Sequence, residues 1–191
     1  MDRREAITKV GYLLGGTIIG ANIFLEIGCN SAATTASAGS FFTNEQIAFL
    51  NEMGETILPA TSTPGAKAAK VGEFMNVMVR DCYTKRDQGI FREGMERLDE
   101  QCKKDQGKSY MECSAAERNA FLTKVDAKQK VYMQEKTPEQ PSHYFRMIKE
   151  LTLLGFFTSE VGATKALRYV AIPGKYDGDV PYKKGDKAWA T

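Results

Sequence analysis

The chain has 191 residues, with 26 basic and 24 acidic side chains, a net charge of +2 and a single histidine. That balance gives no field that would recruit nucleic acid, and one imidazole excludes a metal centre built from several histidines. The length allows one domain with its own core behind an N-terminal export segment and is too short for two.

Arg3, Arg4 and Lys9 form a basic head, and the run Val10–Leu25 carries no charge but is dotted with Gly11, Gly15, Gly16 and Gly20. A permanent membrane span wants about 20 strongly apolar residues, so the pattern reads as an export signal, with an uncleaved N-terminal helix as the competing reading. The arginine pair resembles the signal of the twin-arginine translocase, which exports proteins already folded. Glu5 and Ala6 depart from the usual pattern after the pair. Cys29 behind Gly28 resembles a lipoprotein cleavage site, where the cysteine would be acylated and tether the protein to a membrane face; Glu26 departs from that pattern too. Residues 1–29 are thus expected to be the export signal, 30–40 a flexible tether of small polar residues, and 41–191 a single domain. Without the signal, 23 basic and 21 acidic residues remain, and the net charge is unchanged.

Beyond the tether the periodicity is helical. Thr43 and Gln46 make a capping box ahead of Ile47, Leu50, Met53, Ile57 and Leu58, and Pro59 ends the run. Thr63 and Pro64 are placed as cap and first residue of a short second helix. A third, from Val71, shows Phe74, Val77, Met78 and Cys82 on one face. A fourth, Asp87–Lys103, carries Ile90, Phe91, Met95, Leu98 and Cys102. Ser114 and Glu117 open another, with Phe121, Leu122 and Val125, that runs toward Met133 before Pro138 and Pro141. The next covers Ser142–Leu154, and a further helix starts near Thr158 or Ser159 after Gly155. No alternating strand pattern is convincing. The expected fold is all-α, an irregular domain of about six helices with an extended C-terminal tail.

That tail, Ile172–Tyr182, holds two prolines and two glycines among aromatic and aliphatic residues. It cannot be helical, yet it is too apolar to float free, so it is expected to lie on the domain's own surface or on a partner's.

Catalytic signals are sparse. His143 sits in a Pro-Ser-His-Tyr helix start and reads as a surface or capping residue; Asp177 and Asp179 read as turn formers. No glycine-rich phosphate loop or CxxC pair is present, so no catalytic, cofactor-binding or metal site is assigned to the chain. Cys102 and Cys113 flank a polar loop between two helices, and a disulfide closing it would contribute about 2 to 3 kcal/mol. Cys82 is then left over, as a buried free thiol or, on the sharper reading, as an inter-subunit thiol.

The segments Phe41–Gln46, Glu55–Ala66 and Phe145–Ala163, followed by Tyr176-Asp177-Gly178 and Gly185–Ala190, closely resemble the gluconate 2-dehydrogenase subunit 3 family in order and spacing. The resemblance implies an accessory small subunit beside a large flavoprotein of the glucose-methanol-choline oxidoreductase class. That partner would carry the FAD and oxidise a sugar, sugar acid or glycoside, with a cytochrome as a frequent third component. It also implies that the small subunit's signal carries the folded pair to the periplasm. Phe156, Phe157, Tyr169, Tyr176, Tyr182 and Trp189 are the expected partner interface, with ordinary core the competing reading for the two phenylalanines. An independent periplasmic ligand-binding lipoprotein is the alternative, and an enzyme in its own right the less supported one.

Overall fold

A computed structural model describes residues 39–190. The export segment with Arg3, Arg4 and Cys29, and all but the end of the tether, lie outside the described residues. Five α-helices make up the body among these residues: α1 (Asn44–Ile57), α2 (Val71–Cys82), α3 (Lys85–Gln106), α4 (Ala115–Glu135) and α5 (Tyr144–Phe157). A 3-10 turn (Tyr110–Glu112) joins α3 to α4, and a π-helical turn (Gly162–Ala166) follows α5. The C-terminal region is mostly non-helical, and the all-α reading holds.

Four of the five described helices, all but α2, start at a side-chain cap. In α1 the Thr43 hydroxyl accepts the Gln46 N–H while the Gln46 side chain accepts the Thr43 N–H. Ser114 and Glu117 form the same reciprocal pair at α4. Thr84 caps α3 by accepting the Asp87 N–H, and Gly107, at φ 74°, closes its far end. These signals carry α3 beyond the expected Asp87–Lys103 at both ends.

The short helix expected from Pro64 does not form. Residues 66–70 instead make successive i→i+3 turns that stop at Lys70, a non-glycine residue held at φ 51°. Glu55 explains the path: its two carboxylate oxygens accept the N–H groups of Ala60 and Lys67, both at 2.9 Å, and draw the connection into a tight arc over the end of α1.

The buried face of α2 also differs from expectation. Val71, Gly72, Met75, Asn76 and Val79 are buried, Phe74 and Met78 sit at the margin, and Val77 and Cys82 are exposed. Gly72 sets this rotation: a Cβ there would lie 2.5 Å from the Ile47 carbonyl, so α2 approaches α1 along its glycine side. Cys82 is therefore not the buried thiol expected from apolar spacing.

Helix α5 touches all four other helices and forms the middle of the body. Phe145, Ile148, Leu151 and Phe156 join Phe42, Leu50, Met75, Phe91, Leu98 and Phe121 in one continuous core. Two glycines admit the close crossings: a Cβ on Gly94 of α3 would meet the Tyr144 ring at 2.2 Å, and one on Gly155 would meet the Phe74 ring at 2.7 Å. For that reason α5 runs through Gly155 to Phe157 and does not stop at Leu154. The further helix expected after Gly155 shrinks to one turn that ends in the π-helical segment.

Candidate functional site

Two neighbouring parts of the sequence leave apolar side chains uncovered. The first is the outer face of α5, where Leu153, Leu154 and Phe157 are exposed, the last by 40%. Phe156 packs edge-on against Phe157 but is itself only 2% exposed. Of the two phenylalanines expected at an interface, Phe156 therefore belongs to the core, because the α5 stripe Phe145-Ile148-Thr152-Phe156 points inward.

The second part is a loop closed at its base. After α5, Gly162 turns so tightly that a Cβ would lie 1.9 Å from the Phe156 carbonyl oxygen, and Leu167 N–H then donates to the Gly162 carbonyl. The chain next enters β1 (Arg168–Tyr169), which pairs in parallel with β2 (Trp189–Ala190). Arg168 N–H donates to the Ala188 carbonyl at 2.8 Å and Val170 N–H to the Ala190 carbonyl at 2.9 Å. This minimal ladder was not legible in the sequence, where no strand was expected. The Arg168 guanidinium lies 4.6 Å from the Trp189 ring centre, a cation–π contact worth about 0.5–1 kcal/mol at an exposed site. Lys187 Nζ donates to the Lys165 carbonyl and adds a further tie at the base.

Between the two strands every residue from 171 to 188 is exposed. Tyr176 is 97% exposed, with Tyr182, Ile172, Tyr169 and Trp189 also open to solvent. Lys183 N–H to Asp186 Oδ2, Lys175 Nζ to Asp177 Oδ2 and Asp179 N–H to Asp177 Oδ1 shape the turns. The loop encloses an open hollow of about 670 Å³ lined by Arg168, Val170, Tyr176, Val180 and Trp189 among others. The tail thus does not lie flat on the domain's own surface.

His143 sits elsewhere, at the start of α5. Its Nδ1 accepts the Phe145 N–H at 3.2 Å, its ring stacks on Tyr144, and burial pushes its pKa below the ordinary histidine value. Neither hydrogen-bond partner nor stacking neighbour is a nucleophile or a carboxylate. The strongest ion pairs are architectural. Glu52 accepts from Lys67 at 2.6 Å and from Arg118, and the Lys67 hydrogen bond is the main cause that holds its carboxyl below the usual range. Arg118 also donates to the Tyr110 and Met111 carbonyls and so ties α4, the 3-10 turn and α1 together. At Asp126 burial works against ionisation, but hydrogen bonds from Lys149 and Lys130 outweigh it and lower the pKa.

The three cysteines in the described residues separate into two groups. Cys102 and Cys113 are buried with their sulfurs 3.6 Å apart, and Cys82 faces solvent on α2. Sequence reasoning missed Arg168 and Lys187, whose partners lie more than twenty residues away along the chain, a separation at which no periodicity signals a contact.

A family model described as gluconate 2-dehydrogenase subunit 3 matches residues 44–174, from the start of α1 into the C-terminal loop. No curated protein and no solved structure matches the chain. With more than two thirds of its length matched, the chain belongs to the gluconate 2-dehydrogenase subunit 3 family.

Proposed function

We propose that this chain is a non-catalytic accessory subunit that binds a large, FAD-carrying dehydrogenase of the glucose-methanol-choline class, scaffolds it and carries it through twin-arginine export to the periplasm. The family match supports the accessory role, since the family is named as a subunit of a dehydrogenase. The flavin, and with it the oxidation of a sugar, sugar acid or glycoside, is assigned to the partner, and a cytochrome is the candidate third component. Cys29 would add a membrane tether after signal removal.

The observation that carries the interface is the uncovered apolar surface on α5 (Leu153, Leu154 and Phe157) and on the closed loop (Tyr169, Tyr176, Tyr182 and Trp189). Patches of exposed aromatic and aliphatic side chains mark interaction sites more often than they mark idle surface. Co-expression with a large FAD-binding dehydrogenase, sought in the adjacent reading frame, tests the reading. A stable heterocomplex is expected, with the flavoprotein exported only when Arg3 and Arg4 are intact. A chain truncated after Val170 should lose the flavoprotein on purification; undiminished co-purification would remove the loop from the interface. A lone, stable monomer whose melting responds to small molecules would favour the independent binding lipoprotein instead.

A further inference from the structure

We infer that Cys102 and Cys113 are the partners of a disulfide that staples the α3–α4 junction when the protein matures in an oxidising compartment. The pair is placed by two different elements. Cys102 sits in the penultimate turn of α3, and Cys113 immediately follows the 3-10 turn, one residue before the Ser114 cap of α4. Both side chains are buried, and their sulfurs are already in contact at 3.6 Å. Bond formation needs only a modest closing motion of the two side chains, since bonded sulfurs stand about 2.0 Å apart.

The surroundings hold the two sulfurs together. Tyr110 N–H donates to Asp99 Oδ1, the Tyr110 hydroxyl donates to Thr56, and Arg118 donates to the Tyr110 carbonyl. This network pins the segment that carries Cys113 against α3 and α1. Cys82, exposed on α2, is not part of the pair.

The reaction is thiol–disulfide exchange with a dithiol–disulfide oxidant such as oxidised glutathione. The Cys113 thiol, the less deeply buried of the two, loses its proton and attacks an oxidant sulfur, releasing one oxidant thiolate. The Cys102 thiol then loses its proton, displaces the second oxidant thiolate and closes the protein disulfide. Two protons and two electrons leave the protein, and one oxidant disulfide becomes two thiols. Burial pushes the Cys102 thiol of the reduced pair up to about 12, so that thiol does not react freely with other oxidants.

Trypsin provides a direct test, because Lys103, Lys104 and Lys108 lie between the two cysteines. The full chain is equilibrated with a reduced and oxidised glutathione mixture, alkylated under denaturing conditions and digested without reductant. The expected product joins peptide 98–103 to peptide 109–118, about 2 Da lighter than the two reduced peptides together, with Cys82 recovered alkylated. The melting temperature should fall by about 5 to 10 °C on adding reductant, and Cys113→Ser should abolish that shift. Recovery of Cys102 and Cys113 alkylated after equilibration, or of either one linked to Cys82, would overturn the assignment. The peptide map uses the unaltered chain, so a variant that fails to fold leaves the test intact.

Discussion

Asn76 Oδ1 accepts the backbone N–H of Phe42 at 2.8 Å, with both residues buried, and the same oxygen accepts the N–H of Phe41 at 3.0 Å. One amide on α2 thereby anchors the point where the chain enters the domain. Asn76→Ala would strip the acceptor from two backbone donors and cost about 2 to 3 kcal/mol, read as a lower urea midpoint. Asn76→Asp keeps the acceptor and should recover most of that loss.

Two glycines should respond in opposite ways. Gly162→Ala forces a methyl against the Phe156 carbonyl, a backbone atom that cannot step aside, and should cost about 2 to 3 kcal/mol or more. Gly89, inside α3, has open space where a Cβ would go, so Gly89→Ala should stabilise by about 0.5 to 1 kcal/mol. Thermal melts of the two variants side by side check both.

Acid should lower the domain's stability over two pH ranges. His143 has a folded pKa below its ordinary 6.5, and its Nδ1 must be unprotonated to accept the Phe145 N–H; that stabilisation is full above 6.5 and fades as pH falls through the lowered value. Glu52 and Asp126 have pKa values below 4.5 and 3.8, so their contribution holds above those values and fades at lower pH. Stability measured by urea titration should therefore decline first below about pH 6.5 and again below about pH 4.5, by linkage. In His143→Gln the first decline should be absent, and in Glu52→Gln the second should be smaller.

Complex formation should be separable from folding. Tyr176→Ala and Phe157→Ser remove exposed groups, so each should leave the melting temperature within about 2 °C of the parent while lowering capture of the proposed flavoprotein partner about tenfold when combined. Trp189 is the chain's single tryptophan and gives a reporter of its own. Arg168→Ala should lower the indole's fluorescence anisotropy by loosening the loop base.

Much of the body was legible because its signals are local. The capping boxes at Thr43 and Ser114 and the apolar spacing Phe91-Met95-Leu98-Cys102 each act within a few residues, and the structure follows them. The misreadings came from contacts distant in sequence. Hydrophobicity alone put Phe74 and Val77 inward on α2, whereas the approach of Gly72 to Ile47 rotates Met75, Asn76 and Val79 into the core. The arc after Pro59 depends on a Glu55 carboxylate that reaches ahead to Lys67. The base of the C-terminal loop joins Arg168 to Trp189, so no window along the chain contains both halves of the information. Of the expected interface residues, Phe156 was separated from Phe157 only by knowing which side of α5 meets the core.

The closed loop carries one consequence for handling the protein. Its far end is moored by the Trp189–Ala190 pairing, the Ala188 carbonyl and the Lys187 tie to Lys165, while residues 171–186 between stand exposed. A cut on the near side of Lys187 would cast off everything back to Val170 and collapse the hollow, so preparations nicked there would differ in the shape of this face and not merely in mass.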